Sequence, residues 1–144
     1  MNHELIVSET IQIDTSKERM WDVLTNPEII KEYLYGTDTI TDWKVGSEII
    51  FQGEFDGHQY KDKGIVESIN LNQSLSYWYW SGFSGIDDLK ENYSLVSYSI
   101  DEVSDSEVKF TWTQKGFSSS EGFEHSQKGM EALLNTIKLI AEKN

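Results

Sequence analysis

The side chains able to do chemistry are dispersed. His3, His58 and His125 lie far apart, none at the spacing of a zinc motif, and there is no cysteine to complete a thiolate site. No metal is expected. Serine is plentiful, but no Gly-x-Ser-x-Gly elbow occurs, so a Ser-His-Asp set would have to assemble from distant segments. Asp87-Asp88 is a carboxylate pair of the kind acid–base catalysis uses. It sits in the glycine-bearing stretch Ser81 to Asp88, which reads as a solvated loop. Gly82-Phe83-Ser84-Gly85 is followed by acid, which repels phosphate rather than cradling it. These residues give no catalytic constellation and no cofactor site.

Aromatic side chains are the remaining candidates. They make up 12% of the 144 residues, and Tyr77-Trp78-Tyr79-Trp80 puts four in a row. On a strand, successive side chains point to opposite faces. If Tyr77 and Tyr79 point inward, Trp78 and Trp80 point outward, where they form a contact surface for a protein partner or lie under a loop.

Charge narrows the partners. Acidic residues number 25 against 12 basic, for a net charge of −13, and the one arginine is Arg19. Nucleic-acid affinity depends on Lys and Arg neutralising phosphates, so a nucleic-acid partner is not expected, nor residence on an anionic membrane. Neutral, apolar or basic partners fit; so does acidity that serves solubility alone. No run approaches the ~20 apolar residues of a membrane span. The first residues lack the basic and apolar parts of a secretory leader, and a cytoplasmic location is expected.

The elements that must position these groups follow from periodicity. Leu5 to Asp14 alternates as a half-buried strand, with Leu5, Val7, Glu9, Ile11 and Ile13 on one side. Thr15-Ser16-Lys17-Glu18 reads as a capping box before a short helix carrying Met20, Trp21 and Leu24. Asn26-Pro27-Glu28 starts a second short helix, reaching about Leu34. Strands are expected at Glu48–Phe55, His58–Asn70, Leu75–Trp80, Tyr93–Ile100 and Val108–Phe117, with Asp56-Gly57 as a type I′ hairpin turn. After a second capping-box pattern at Ser118 to Glu121, a long helix carries Phe123, Gln127, Met130, Leu134, Ile137 and Ala141 in one stripe, widened by Leu133 and Ile140. The expectation is one α+β domain over residues 1–144, with six antiparallel strands curved around the last helix.

Strand parity then selects the lining of any space between sheet and helix. Inward on the strands stand Ile49 and Phe51, then Tyr60, Gly64 and Val66, then Leu75, Tyr77 and Tyr79. Val96 and Tyr98 follow, and Phe110, Trp112 and Gln114 complete the sheet. Phe123, Met130, Leu133, Leu134 and Ile137 come from the helix. An apolar lining with a few convergent polar groups is typical of a small-molecule pocket. The same residues can equally fill a closed core.

The order β-α-α-β-β-β-β-β-α with these residues resembles the START-like helix-grip superfamily. Within it the chain resembles the branch of the activator of heat-shock protein 90 ATPase homologues. The resemblance rests on Ile11-Gln12-Ile13, Met20 to Glu28, Trp43-Lys44-Val45-Gly46, Gly64-Ile65-Val66 and Leu75 to Tyr79. It continues through Phe110 to Gln114, Gly116-Phe117 and Gly129 to Lys138. Met130 stands where the family commonly has tryptophan, and Gln114 where it often has histidine. The resemblance implies a helix-grip fold that holds a small apolar ligand, lipid-like or aromatic and polycyclic, between sheet and C-terminal helix. It also implies two alternatives. One is a co-chaperone-like interaction module with a filled core, using Trp78 and Trp80. The other is a cyclase-like enzyme whose inward tyrosines and Gln114 orient an apolar substrate.

Overall fold

Explicit turn and cap chemistry sets most element boundaries in the computed structural model, which describes residues 1–143. Strand β1 (Asn2–Ile13) is followed by helices α1 (Lys17–Thr25) and α2 (Pro27–Tyr33). Then come strands β2 (Asp38–Ile40), β3 (Glu48–Phe55), β4 (His58–Asn70) and β5 (Ser74–Trp80). A single 3₁₀ turn (Lys90–Asn92) precedes β6 (Ser94–Ser104), β7 (Glu107–Phe117) and helix α3 (Ser120–Glu142). The strands form one antiparallel sheet in the order β1-β7-β6-β5-β4-β3-β2.

That sheet has seven strands where six were expected. The added strand is β2, whose three residues pair Asp38 with Gln52, Thr39 with Phe51 and Ile40 with Ile50. Three residues are too few for a period-two signal, and the strand exists because β3 offers it an edge. At the Asp56-Gly57 hairpin both residues have positive φ, +51° and +77°, as a type I′ turn requires. The caps fall one residue later than the sequence pattern suggests. Ser16, not Thr15, accepts from the Arg19 amide, and Ser119 accepts from the Gly122 amide. Asn26 caps α2 with Pro27 in its first turn, as read from the sequence.

Helix α3 lies chiefly along β1, with smaller contacts to β7, α1 and α2. Its C-terminal half is tied down by Lys138 Nζ to the Gln12 carbonyl (3.0 Å), the Asp14 amide to Glu142 (2.8 Å) and Arg19 to the Ile140 carbonyl (3.2 Å). Met130, Leu134, Ile137 and Ala141 are buried, while Gln127, on the same stripe by spacing, is exposed. Among the described residues, no helix is long and apolar enough to cross a membrane.

The main core gathers Val7, Ile13, Met20, Leu24, Val108, Phe110 and Ile137 with the inward residues of β3 to β6. Phe110 is fully enclosed and meets the Tyr98 ring edge-on at 5.8 Å. Phe110→Ala should therefore lower stability by about 3–5 kcal/mol, read as a shift of the urea midpoint, because the surrounding sheet cannot collapse into the space.

Candidate functional site

Beyond the part of the sheet that α3 occupies, the inward face of β3 to β7 borders a cavity of about 470 Å³. Phe51 and Phe55 line it from β3, Tyr60 and Asp62 from β4, and Tyr77 and Tyr79 from β5. Val96 of β6 and Trp112 and Gln114 of β7 complete the sheet wall. Leu34, Tyr35 and Thr37, which follow α2, form the mouth with Glu54 and with Phe83 of the 81–88 loop. Tyr35, Phe55 and Phe83 are largely exposed, so the rim itself is aromatic.

The wall is an aromatic mosaic. Phe51 lies 5.7 Å from the rings of both Tyr77 and Tyr79, and Tyr60 lies 6.0 Å from Phe83. Tyr98, behind the wall, packs 4.6 Å from Trp112.

Polar atoms in this wall are mostly tied to one another. The Tyr77 and Tyr98 hydroxyls pair at 2.8 Å, and those of Thr37 and Tyr60 at 2.5 Å. Asp62, buried, accepts from the Tyr79 hydroxyl at 2.7 Å and from the Gly82 amide at 3.0 Å. Gln114 donates to Ser94 Oγ at 3.3 Å. One donor is left over: Trp112 Nε1 is buried and has no partner among the described residues. An unmet buried donor costs about 1–3 kcal/mol unless something bonds to it.

Burial pushes the Tyr77 hydroxyl up to about 12, and carries Tyr98 well above the ordinary tyrosine value. Tyr79 is raised by burial first and then by the neighbouring Asp62 charge. These phenols stay protonated at neutral pH and act as hydrogen-bonding groups rather than bases.

Of the residues proposed from sequence, Phe51, Tyr60, Tyr77, Tyr79, Trp112 and Gln114 meet around this cavity. Val66, Tyr98 and Phe110 are buried in the core with Met130, Leu134 and Ile137, while Phe123 and Leu133 pack partly buried against it. Phe123 stacks edge-on against Phe117 at 5.5 Å. Thus α3 contributes no lining residue to this cavity among the described residues: it sits over β1, and the lining comes from β3 to β7, the α2–β2 segment and the 81–88 loop. Sequence reasoning passed over Asp62, although the parity that sends Tyr60, Gly64 and Val66 inward sends Asp62 with them. Phe83 and Tyr35 lie in loops, where periodicity carries no signal.

The outer face is different. Trp78, opposite Ile65 in the β4–β5 register, is 36% exposed beside a groove of about 700 Å³ that Tyr93, His3, Asp88, Lys90 and Glu91 also line. Trp80 is half-buried, its indole donating to the Ile86 carbonyl at 3.2 Å, so the 81–88 loop holds it. Asp88 is bound by Lys63 at 2.7 Å and by the Tyr93 hydroxyl. The lysine bond, with help from Tyr93, holds the Asp88 carboxyl below the usual range.

Comparison with known proteins places this geometry. The family model described as Activator of Hsp90 ATPase homolog 1-like protein matches residues 14–142. A solution structure of a protein from Cytophaga hutchinsonii is similar at 34% identity, with a TM-score of 0.82 over 99% of this chain and 97% of that one. An HSP90 activator from Plasmodium falciparum shares the fold at 17% identity, with a TM-score of 0.74 over 94% and 95% of the two chains. The Aha1 dimer from Colwellia psychrerythraea does so at 17% identity, with a TM-score of 0.72 over 96% of each. Among curated proteins nothing matches. The chain belongs to the Activator of Hsp90 ATPase homolog 1-like family, with the helix-grip fold the sequence resemblance implied.

Two outcomes are expected of this site. Buried tyrosines with raised proton affinity stabilise the fold fully below their unfolded value near 10, and that contribution is lost as pH climbs towards about 12. Alkaline titration should show ultraviolet tyrosinate absorbance rising cooperatively with loss of circular dichroism across that window. At Gly53, an added Cβ would lie 2.7 Å from the Tyr60 hydroxyl. Gly53→Ala should displace that hydroxyl from Thr37 and cost about 1 kcal/mol in denaturant unfolding.

Proposed function

We propose that this family member is a non-catalytic binding protein that holds a small apolar ligand, lipid-like or aromatic and polycyclic, in the β3–β7 cavity. The observation that carries the reading is the aromatic cavity of about 470 Å³ whose wall keeps a buried donor, Trp112 Nε1, with no partner among the described residues. Its volume falls within the roughly 300–1,000 Å³ of small-molecule sites. Apolar walls supply affinity through area removed from water, at about 25 cal/mol per Å². A few polar groups fix orientation. Phe51, Tyr60, Tyr77, Tyr79, Trp112 and Gln114 are the contact residues of this reading. Met130, Leu133, Leu134, Ile137 and Phe123 would support the sheet from the α3 side, and Val66, Tyr98 and Phe110 from within the core. The buried tyrosine phenols, protonated at neutral pH, offer hydrogen bonds rather than bases to an occupant, which favours binding over catalysis.

One observation favours a second reading, a co-chaperone-like interaction module. Trp78 and Ile65 form an exposed apolar pair on the outer face, and a structural neighbour is an HSP90 activator. Trp80 would then serve as backing rather than contact, since the loop holds its indole.

The two readings use opposite faces and separate cleanly. In an amide NMR titration with fatty acids, phospholipids, sterols and polycyclic aromatics, a ligand should give saturable shifts confined to Phe51, Tyr77, Tyr79, Val96 and Trp112. Val96→Phe, which fills the cavity, should weaken that ligand about tenfold or more. Silence across the panel in ligand-free protein would sink the cavity reading. Stimulation of purified Hsp90 ATPase activity, lost in Trp78→Ala and retained in Val96→Phe, would establish the second.

A further inference from the structure

The charge inside the cavity specifies more than size does. Asp62 is 8% exposed, and both its hydrogen-bond partners are neutral donors, the Tyr79 hydroxyl and the Gly82 amide. It takes part in no ion pair among the described residues. Its sequence neighbours do not neutralise it: Lys61 is exposed, and Lys63 pairs with Asp88 at 2.7 Å. Among the described residues no lysine, arginine or histidine lines the cavity, whereas a second carboxylate, Glu54, stands at its mouth. A charge taken out of water is ordinarily matched by an opposite charge. Each oxygen of a carboxylate also accepts more than the single bond Asp62 now receives at each.

We propose that the cavity selects its ligand by charge and takes an apolar organic amine, whose ammonium donates to Asp62 while its aromatic or aliphatic body lies against Phe51, Tyr77 and Trp112. This rests on the cavity reading above and narrows it. The surrounding rings reinforce the choice, because aromatic faces attract cations. Fatty acids and other carboxylate ligands are disfavoured, since they would place like charge beside Asp62 and Glu54. The chain's net charge of −13 draws amines towards the protein over longer distances. That general attraction has to be separated from recognition at Asp62.

A charge series on one ring system makes the separation. The labelled full chain is titrated at neutral pH with 2-(aminomethyl)naphthalene, 2-methylnaphthalene and 2-naphthoate, at about 0.15 M and about 0.5 M salt. The amine should bind at least about tenfold more tightly than the neutral compound, and the carboxylate more weakly than either. Shifts should centre on Asp62, Tyr79 and Gly82. The preference should survive the higher salt, which screens exposed charges far more than buried ones. Asp62→Asn, of nearly the same shape, should remove the amine's advantage over the neutral compound. The ligand series on the unaltered chain decides the matter even if that variant does not fold. Equal or tighter binding of the neutral or anionic compound overturns charge selection and leaves the cavity reading standing. So does a preference that vanishes at high salt. Failure of all three compounds to bind overturns charge selection, and the cavity reading falls as well only if the wider panel is also silent.

Discussion

A single helix cannot cover a seven-stranded sheet. Six interstrand spacings of about 4.8 Å make a surface about 29 Å wide, while a helix with its side chains is about 10–12 Å across. Helix α3 settles over β1, held there by Lys138, Glu142 and the contact with Arg19. Helices α1 and α2 close one end with Met20, Val23, Leu24, Ile29 and Ile30 buried. The remaining inward surface, on β3 to β7, must be filled by its own side chains or left open. Large aromatic residues fill much of it, and the cavity is what they leave.

Those aromatics are not interchangeable fillers, because half of those lining the cavity carry a hydroxyl. Burying phenols is tolerable where each finds a partner. The wall achieves this in pairs: Tyr77 with Tyr98, Tyr60 with Thr37, Tyr79 with Asp62. The pairing keeps the tyrosines protonated and fixes their rings, so the cavity has a defined shape rather than a fluid one. It also leaves spare capacity at two places, the Trp112 indole nitrogen and the Asp62 oxygens. On β5 the neighbouring residues Trp78 and Tyr79 serve opposite faces, so one strand carries both the outer groove and the inner wall.

Much of this was legible in the residues. Alternation along Glu48–Phe55 and His58–Asn70, the Asp-Gly turn and the Asn-Pro cap fixed the strands and α2 because each is a local signal. Local signals end where pairing begins. Strand β2 could not be read, since Asp38-Thr39-Ile40 becomes a strand only beside Gln52, Phe51 and Ile50. The α3 stripe was read as well, apart from Gln127, yet not the strands it covers: spacing says which side of a helix is apolar and nothing about where that side lands. Asp62 was the opposite case. Its parity with Tyr60, Gly64 and Val66 was plain, but its burial depends on the Tyr79 hydroxyl and the Gly82 amide that meet it in the folded chain.

Gly53 shows how the cavity is written into more than one position. The absence of a side chain there is what lets the Tyr60 ring lie across the hairpin and reach Thr37. The two positions are therefore sterically coupled. A descendant that acquires a side chain at 53 gains nothing by keeping the phenol at 60, and one that shortens 60 is released from glycine at 53. Among related chains the pair should drift together, and its joint loss would mark lineages in which the mouth of the cavity has been put to another use.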